Sequence, residues 1–529
     1  MAGRYAFCHG NGFMMLYQHV FQKIDLFNRI HCFRAFKEHV PIPYHPCWHR
    51  TFIHFLKTTP LMDKRYQTFQ VADYALQARY EQIGDANTDQ LKKHLLDAVG
   101  SMFFAIDKPP LQKLFAQLEV LGVGGPCKVP VVGSLPYDRA AQVYTALVRY
   151  PDFMDNYLGK ESTCHPSDNL GPLLAAAQFR PTGGRDFLTA MAVAYEIACR
   201  LTEEIPVMTE GIDHTLLLSY SMVGGMSRMF GLTLDQAANA LAICGCSIAP
   251  LAVSRASYTS EWKGMASSMD ALDCVNNVLL AREGMTGPIA LFEGPKGFKE
   301  VFHMNLDYEW SKDKFELLHR CILKSYNAEV HTQSAIYATL NLLKEHEIAT
   351  ADILKVNVTT FLTAYHIVGS GEYGDRKIVK TKEQADHSLH YLIAVALLDG
   401  QVYPEQLTPE RIHREDVQTL LQKVEVNTHF PLHKPVMLAG VLDKYTQRYP
   451  DKVMAKVEVI MKEGHIFSYE TEDYPGFFTQ PLSWEQVEDK CRRLIGQRLT
   501  TEEMKALFTF IRTLEEQPSM EPLLAYLCR

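Results

Sequence analysis

The chain has 529 residues, of which 47% are hydrophobic and 22% charged, and its formal net charge is −8; a length beyond that of one hydrophobic core points to at least two domains. No Lys/Arg stripe with interleaved aromatics suggests a nucleic-acid surface, and the most apolar stretch, 241–253, is too short to span a bilayer and contains Pro250. The twelve cysteines are scattered without a C-x-x-C pair, and no HExxH, P-loop or GxGxxG fingerprint occurs, so a zinc ribbon, an iron–sulfur cluster and a nucleotide site are not indicated and no cofactor or metal is expected.

Residues 1–62 stand apart. They hold seven of the 21 histidines but only two acids, Asp25 and Glu38, with no secretory pattern and no Ser for a transit peptide. This segment reads as an extension, with Met62 an alternative start. From about Tyr66 to His319 the pattern is helical: Leu91, Leu95, Val99 and Met102 recur at helical spacing behind a cap candidate at Asn87. Phe187, Met191, Ala194, Ala198 and Leu201 do so behind Asp186. Thr233 with Gln236 forms a capping-box signature before an Ala-rich run.

Within that region Asp152–Gly171, DFMDNYLGKESTCHPSDNLG, has little periodicity and is dense in hydrogen-bonding groups, as ordered functional loops are and as plain surface turns also are. Asp213-His214 precedes a helix, where a lone His is usually structural. Arg255 sits at an element end, free to face solvent or ligand. Lys263 lies among small residues, where burial is costly unless it meets an anion.

After His319 the character changes. Val356 and Val358 alternate with polar neighbours, Val424 and Val426 suggest a further strand, and Val453–Val459 followed by Lys462–His465 and Ile466–Tyr469 reads as a hairpin. Residues 394–398 fall in an apolar helix, and the tail returns to helix through capping boxes at Ser483/Gln486 and Thr500/Glu503. The fold class expected is mainly α, a large helical domain over 66–319 completed by 481–529, with a smaller α+β lid over 320–480.

Five blocks, CHPSDNLG, IDH, EWKGMASS, YNAEVHTQSA and KTKEQADHSLHYLIAVALLDG, together resemble the MmgE/PrpD family of citrate-type dehydratases. The Ser-Asp-Asn after His165-Pro166 brings the chain nearer the 2-methylcitrate dehydratase branch than the cis-aconitate decarboxylase branch. The resemblance runs from about residue 66 to the C-terminus. It implies a cofactor-independent, metal-free hydro-lyase, usually a homodimer, of cytoplasmic or mitochondrial-matrix location, acting on a small-molecule tricarboxylate in a cleft between the domains. By motif position His165, His214, Lys263 and Asp152 would be catalytic, and Asn156, Arg255, Lys324, Glu329 and His331 would bind substrate. Three departures from the family pattern, Pro151/Met154, Tyr144-Thr145 and His390, point to a shifted substrate or weakened activity.

The residue types suit the chemistry. Cations would hold the carboxylates and stabilise an enolate-like charge, while one neutral His takes a proton and a second group protonates the departing hydroxyl. A decarboxylase, a dicarboxylate epimerase and a non-catalytic paralogue are the competing expectations.

Overall fold

A computed structural model of the chain describes residues 66–255, 259–371, 374–430 and 442–528. The extension at 1–62 and its alternative start lie outside the described residues. The first part is helical: α1 (Gln67–Gln77), α2 (Asp85–Ala105), α3 (Pro109–Leu121), α4 (Tyr137–Arg149), α5 (Leu170–Ala176), α6 (Gly184–Glu204), α7 (Thr215–Met229), α8 (Leu234–Ser247) and α9 (Ala266–Arg282). Two small antiparallel hairpins interrupt it, β1 (Cys127–Val129) with β2 (Gly133–Leu135) and β3 (Tyr157–Leu158) with β4 (Thr163–Cys164). Helix α6 packs on α7, and α4 packs on both α5 and α9. The α4–α5 approach is close because Gly171 faces Thr145; a Cβ at 171 would stand 2.0 Å from Thr145 Oγ1 and 2.5 Å from its backbone nitrogen.

The second part is built on one sheet. After α10 (Gln333–Glu345) come β5 (Ile353–Thr360), α11 (Leu389–Asp399), α12 (Glu415–Leu421), β6 (Val424–Thr428), β7 (Ala455–Met461) and β8 (Ile466–Thr471). The strand order is β6-β5-β7-β8, with β5 and β6 parallel and the other pairs antiparallel. A parallel pair needs a crossover, and the 361–423 segment carrying α11 and α12 provides it. Strand β7 buries every second residue from Ala455 to Met461, as expected of the Val/Ala alternation with Lys and Glu. Helix α10 packs on β7 and β8 and against α11, whose residues from Leu389 to Leu397 are all buried.

The tail forms α13 (Trp484–Ile495), α14 (Thr501–Arg512) and α15 (Glu521–Leu527), and α13 and α14 pack on α2, far back in the sequence. The capping boxes at Thr233/Gln236, Ser483/Gln486 and Thr500/Glu503 are formed as expected. Two expected starts are displaced. Helix α2 begins at Asp85 behind Gly84, and Asn87 instead donates to the carbonyls of Ile83 and Phe315 at 3.1 Å each. Helix α6 begins at Gly184, which leaves Asp186 in the first turn, where a carboxylate faces the positive end of the helix dipole. Among the described residues no helix is long and apolar enough to cross a membrane.

Candidate active site

The first loop is built around two aspartates. Asp155 accepts from the Ser167 amide at 2.9 Å and from His94 Nδ1 at 2.8 Å, while its own carbonyl accepts from His165 Nδ1 at 3.0 Å. The β3–β4 hairpin thereby returns the chain so that His165 is fixed by one nitrogen and presents Nε2. Burial, with the Arg149 and Lys324 charges beside it, holds His165 well below the ordinary imidazole value, so the ring is neutral.

Asp152 takes a positive φ of 54° just past the end of α4, a conformation Asp tolerates better than most side chains. Its Oδ2 lies 2.5 Å from Lys263 Nζ, and its Oδ1 lies 2.8 Å from Lys324 Nζ and 3.2 Å from Arg149 Nη1. Lys324 also donates to the Asp152 carbonyl at 2.9 Å. Burial opposes the carboxylate, but Lys263, Lys324 and Arg149 outweigh it and keep Asp152 well below the usual carboxylate range. For Lys263 burial wins over the pull of Asp152, and its pKa is lowered to about 8. Asp168, fully buried 3.7 Å from Arg149 Nε, is pushed up to about 7 by burial against that charge.

The KTKEQADHSLH block supplies the other side. His387 Nδ1 is 2.5 Å from Asp386 Oδ1 and 3.5 Å from Lys263 Nζ, while its Nε2 is 4.0 Å from Asp152 Oδ2. Lys382 pairs with the second Asp386 oxygen at 2.7 Å. Asp152, Asp386 and His387 each offer a metal-ligand atom within 4.8 Å of the others, and the Lys263 ammonium already supplies a cation to two of these three groups.

A second histidine stands opposite His165. The rings of His165 and His214 are 5.5 Å apart between centroids. His214 Nδ1 lies 3.0 Å from Asp213 Oδ1, and its buried Nε2 has no hydrogen-bond partner. Burial lowers the His214 pKa against the pull of Asp213. Arg255 donates to Asp213 from Nε at 2.8 Å and from Nη2 at 3.3 Å, and Ser254 donates to it at 2.7 Å. Arg255, partly buried, thus spends its forked guanidinium on the carboxylate that orients His214.

Asn156 pairs through its backbone with Ile322 in both directions, at 3.0 and 2.8 Å, which aligns the segment leading to Lys324 beside the first loop. Lys490, from α13, clamps the same two segments by donating to the carbonyls of Phe153 at 2.6 Å and Lys324 at 2.9 Å, and pairs with Asp97 at 2.7 Å. Glu329 caps the turn that follows it, accepting the His331 amide at 2.8 Å and facing His331 Nδ1 at 2.7 Å. His331 Nε2 is 3.1 Å from the Tyr449 hydroxyl, so both of its ring nitrogens are engaged. Burial opposes the Glu329 charge, but His331 prevails and holds its pKa at about 2.

The structure therefore brings Asp152, Lys263, Lys324, His165 and His214 together, with Asn156, Arg255, Glu329 and His331 acting on the segments that carry them. Two of the three departures are absorbed by packing: Tyr144 is buried and donates to the Lys128 carbonyl at 2.7 Å, Met154 is buried beside Arg149, and the Pro151 carbonyl accepts from Asn327 at 2.8 Å. Sequence reasoning did not single out Arg149, Asp386, His387 or Lys490. The Asp-His pair inside the 380–400 block was a signal for two of them; Arg149 and Lys490 lie on amphipathic helices where nothing local sets them apart.

Family models of the MmgE/PrpD N-terminal domain and C-terminal domain match residues 69–311 and 326–516. The chain belongs to the MmgE/PrpD family. The 2-methylcitrate dehydratase of Escherichia coli (strain K12) is 28% identical over 375 residues, 67% of this chain and 76% of that protein. That of Salmonella typhi is 27% identical over 392 residues, 70% and 79% of the two chains. The cis-aconitate decarboxylase of Mus musculus is 23% identical over 407 residues, 72% and 76% respectively. In this MmgE/PrpD chain the Asp152 cluster draws Asp152 and Lys263 from the first matched region, His387 from the second and Lys324 from between them.

Proposed function

We propose that the protein is a hydro-lyase that dehydrates 2-methylcitrate or a related alkylcitrate. The observation that carries this reading is the pairing of buried cations at Asp152 with two neutral histidines, His165 and His214, each fixed through Nδ1 and presenting Nε2. The names of the bacterial relatives support the same substrate class.

In this reading the substrate approaches Lys263 and Lys324, which lie at a site already balanced by one carboxylate, and a substrate carboxylate shares their charge. Electrostatic stabilisation by fixed cations lowers the energy of the enolate-like charge that forms when the adjacent carbon loses its proton. One of the two neutral imidazoles accepts that proton at Nε2. The hydroxyl leaves as water on receiving a proton from the Lys263 ammonium, whose pKa of about 8 suits it to that transfer. The proton taken up by the imidazole then returns to Lys263 to reset the site; each such transfer contributes about 10²–10⁴ in rate. Asp152 remains ionised throughout and holds the two lysines in place. Because Lys263 titrates at about 8, kcat/KM falls on the alkaline side as that ammonium is lost.

The test is incubation of the purified protein, with chelator present, with 2-methylcitrate, citrate and cis-aconitate in turn, following unsaturated acid by ultraviolet absorbance and carbon dioxide by mass spectrometry. Unsaturated acid without carbon dioxide is the expected result. Carbon dioxide from cis-aconitate would favour the decarboxylase reading that the mouse relative's name suggests, and a folded protein silent on all three acids would sink both.

A further inference from the structure

Arg376 lies between β5 and α11. It is only 6% exposed, its Nε is enclosed, and its guanidinium makes no hydrogen bond or ion pair among the described residues. On α11, His390 is 5% exposed and its buried Nδ1 likewise has no hydrogen-bond partner. The two belong to one corner. Ser388 caps α11 by accepting the Tyr391 amide at 3.1 Å and donates to the Arg376 carbonyl at 2.5 Å. The Arg376 charge acts on the His390 ring, as do those of Lys377 and Asp375.

This corner is tied to the Asp152 cluster through the chain: Ser388, which holds the Arg376 carbonyl, directly follows His387, whose Nε2 is 4.0 Å from Asp152 Oδ2. The carboxylates whose charge reaches Arg376 are Glu329 and Asp386. Both are taken, Glu329 by His331 at 2.7 Å, Asp386 by His387 at 2.5 Å and by Lys382 at 2.7 Å. A buried guanidinium without a direct partner is unfavourable. On the helix whose cap residue holds the Arg376 carbonyl stands a second orphaned nitrogen, His390 Nδ1, which becomes a donor in the Nδ1–H tautomer. Burial and Lys377 hold His390 at about 4, so near neutral pH the corner carries one positive charge and an additional neutral donor. That combination matches a single carboxylate, which a guanidinium binds through its fork, better than a doubly charged phosphate.

We propose that Arg376 and His390 form a carboxylate-binding subsite for a second arm of the acid whose reacting end lies at the Asp152–Lys263 pair. This rests on the dehydratase reading for its substrate. It also gives His390, a departure from the family pattern, a role: it alters the arm the site accepts while leaving the reacting groups in place.

The full-length protein is titrated by calorimetry with three unreactive acids: tricarballylate, and glutarate and methylsuccinate, which each lack one of its carboxylates. Wild type is expected to bind tricarballylate tightest, one per chain. Arg376→Gln and His390→Gln are expected to weaken tricarballylate by at least about tenfold, the loss of a charge-assisted or a neutral hydrogen bond to a carboxylate. The same variants should leave the affinity of one dicarboxylate unchanged, and Arg376→Lys should recover part of the loss. Unchanged tricarballylate affinity in both variants, or an equal loss for all three acids, overturns the subsite. Binding of tricarballylate on top of saturating 2-methylcitrate would make the corner a separate acid site and overturn its assignment to the substrate arm. Turnover of 2-methylcitrate with variant-insensitive binding sinks the subsite alone. Variant-sensitive binding without turnover sinks the dehydratase reading alone, and no binding by wild type removes both.

Discussion

Lys263 and Asp152, 111 residues apart in the chain, meet at 2.5 Å with both side chains buried. The pair is one contact of a four-group centre that also includes Lys324 and Arg149. Asp152→Asn keeps the shape and a side chain tolerant of positive φ, but leaves three buried cations without their common anion. A loss of about 3–5 kcal/mol in unfolding free energy is expected, with turnover reduced at least about 100-fold. Urea denaturation and steady-state kinetics on the same sample check both. Asp152→Ala should be less stable than Asp152→Asn, because Ala is strained at φ 54°.

Asp213 fixes His214 in the tautomer that leaves Nε2 as the free nitrogen, and Arg255 fixes Asp213. Asp213→Asn allows the imidazole to present the other tautomer. The expected outcome is a fall in kcat of about 10²–10⁴ with KM changed far less. A fall in KM affinity alone, with kcat intact, would mean that His214 binds substrate and transfers no proton.

Lys490 ties α13 to the site through main-chain carbonyls of both Phe153 and Lys324. Lys490→Met strands Asp97, whose other oxygen already lacks a partner, and should cost about 3–5 kcal/mol. The double variant Asp97→Leu/Lys490→Met removes the buried pair and is expected to recover part of that loss, the remainder, about 1–3 kcal/mol, coming from the carbonyls left without their donor. Its kcat should nonetheless stay low, since the carbonyl clamp is still missing. Recovery of activity along with stability would assign Lys490 a purely structural part.

His390 should be visible in the pH dependence of stability. Its folded pKa, about 4, is below the ordinary value of 6.5, so as pH falls below 6.5 the unfolded chain takes up a proton that the folded chain refuses. Stability is therefore full above 6.5 and declines toward 4, at about 1.4 kcal/mol per pH unit for this group. Between pH 6.5 and 5 His390→Gln should remove roughly 2 kcal/mol of the wild-type decline. His165, His214 and His387, also lowered, leave a remaining slope of the same sign. Urea midpoints at pH 7.5, 6.5, 5.8 and 5.0 measure the difference.

Much of the site was legible because its chemistry needs unusual residue types in unusual places. A lysine among small residues at 263 is costly to bury without an anion, and Asp152 is the anion it meets. His165 and His214 stand in segments that break the helical pattern. Arg255 shows the limit of that reasoning: an arginine at an element end has the same local signature whether it binds solvent, a ligand or, as here, Asp213. The displaced starts at Asp85 and Gly184 have a similar cause, because cap candidates close together along the chain differ by little energy and packing decides between them.

By itself the sequence determined the alternation of helices and strands, the β7–β8 hairpin, the capping boxes and the motif blocks that mark the family, all of which depend on neighbours within a few turns. Only the tertiary structure decided which charges meet: Asp152 with Lys263, Lys324 and Arg149, Asp386 with His387 and Lys382, and Lys490 with two carbonyls more than 160 residues before it. Periodicity records which side of an element is buried, whereas the partner of a buried charge is set by whatever other segment the fold lays against it.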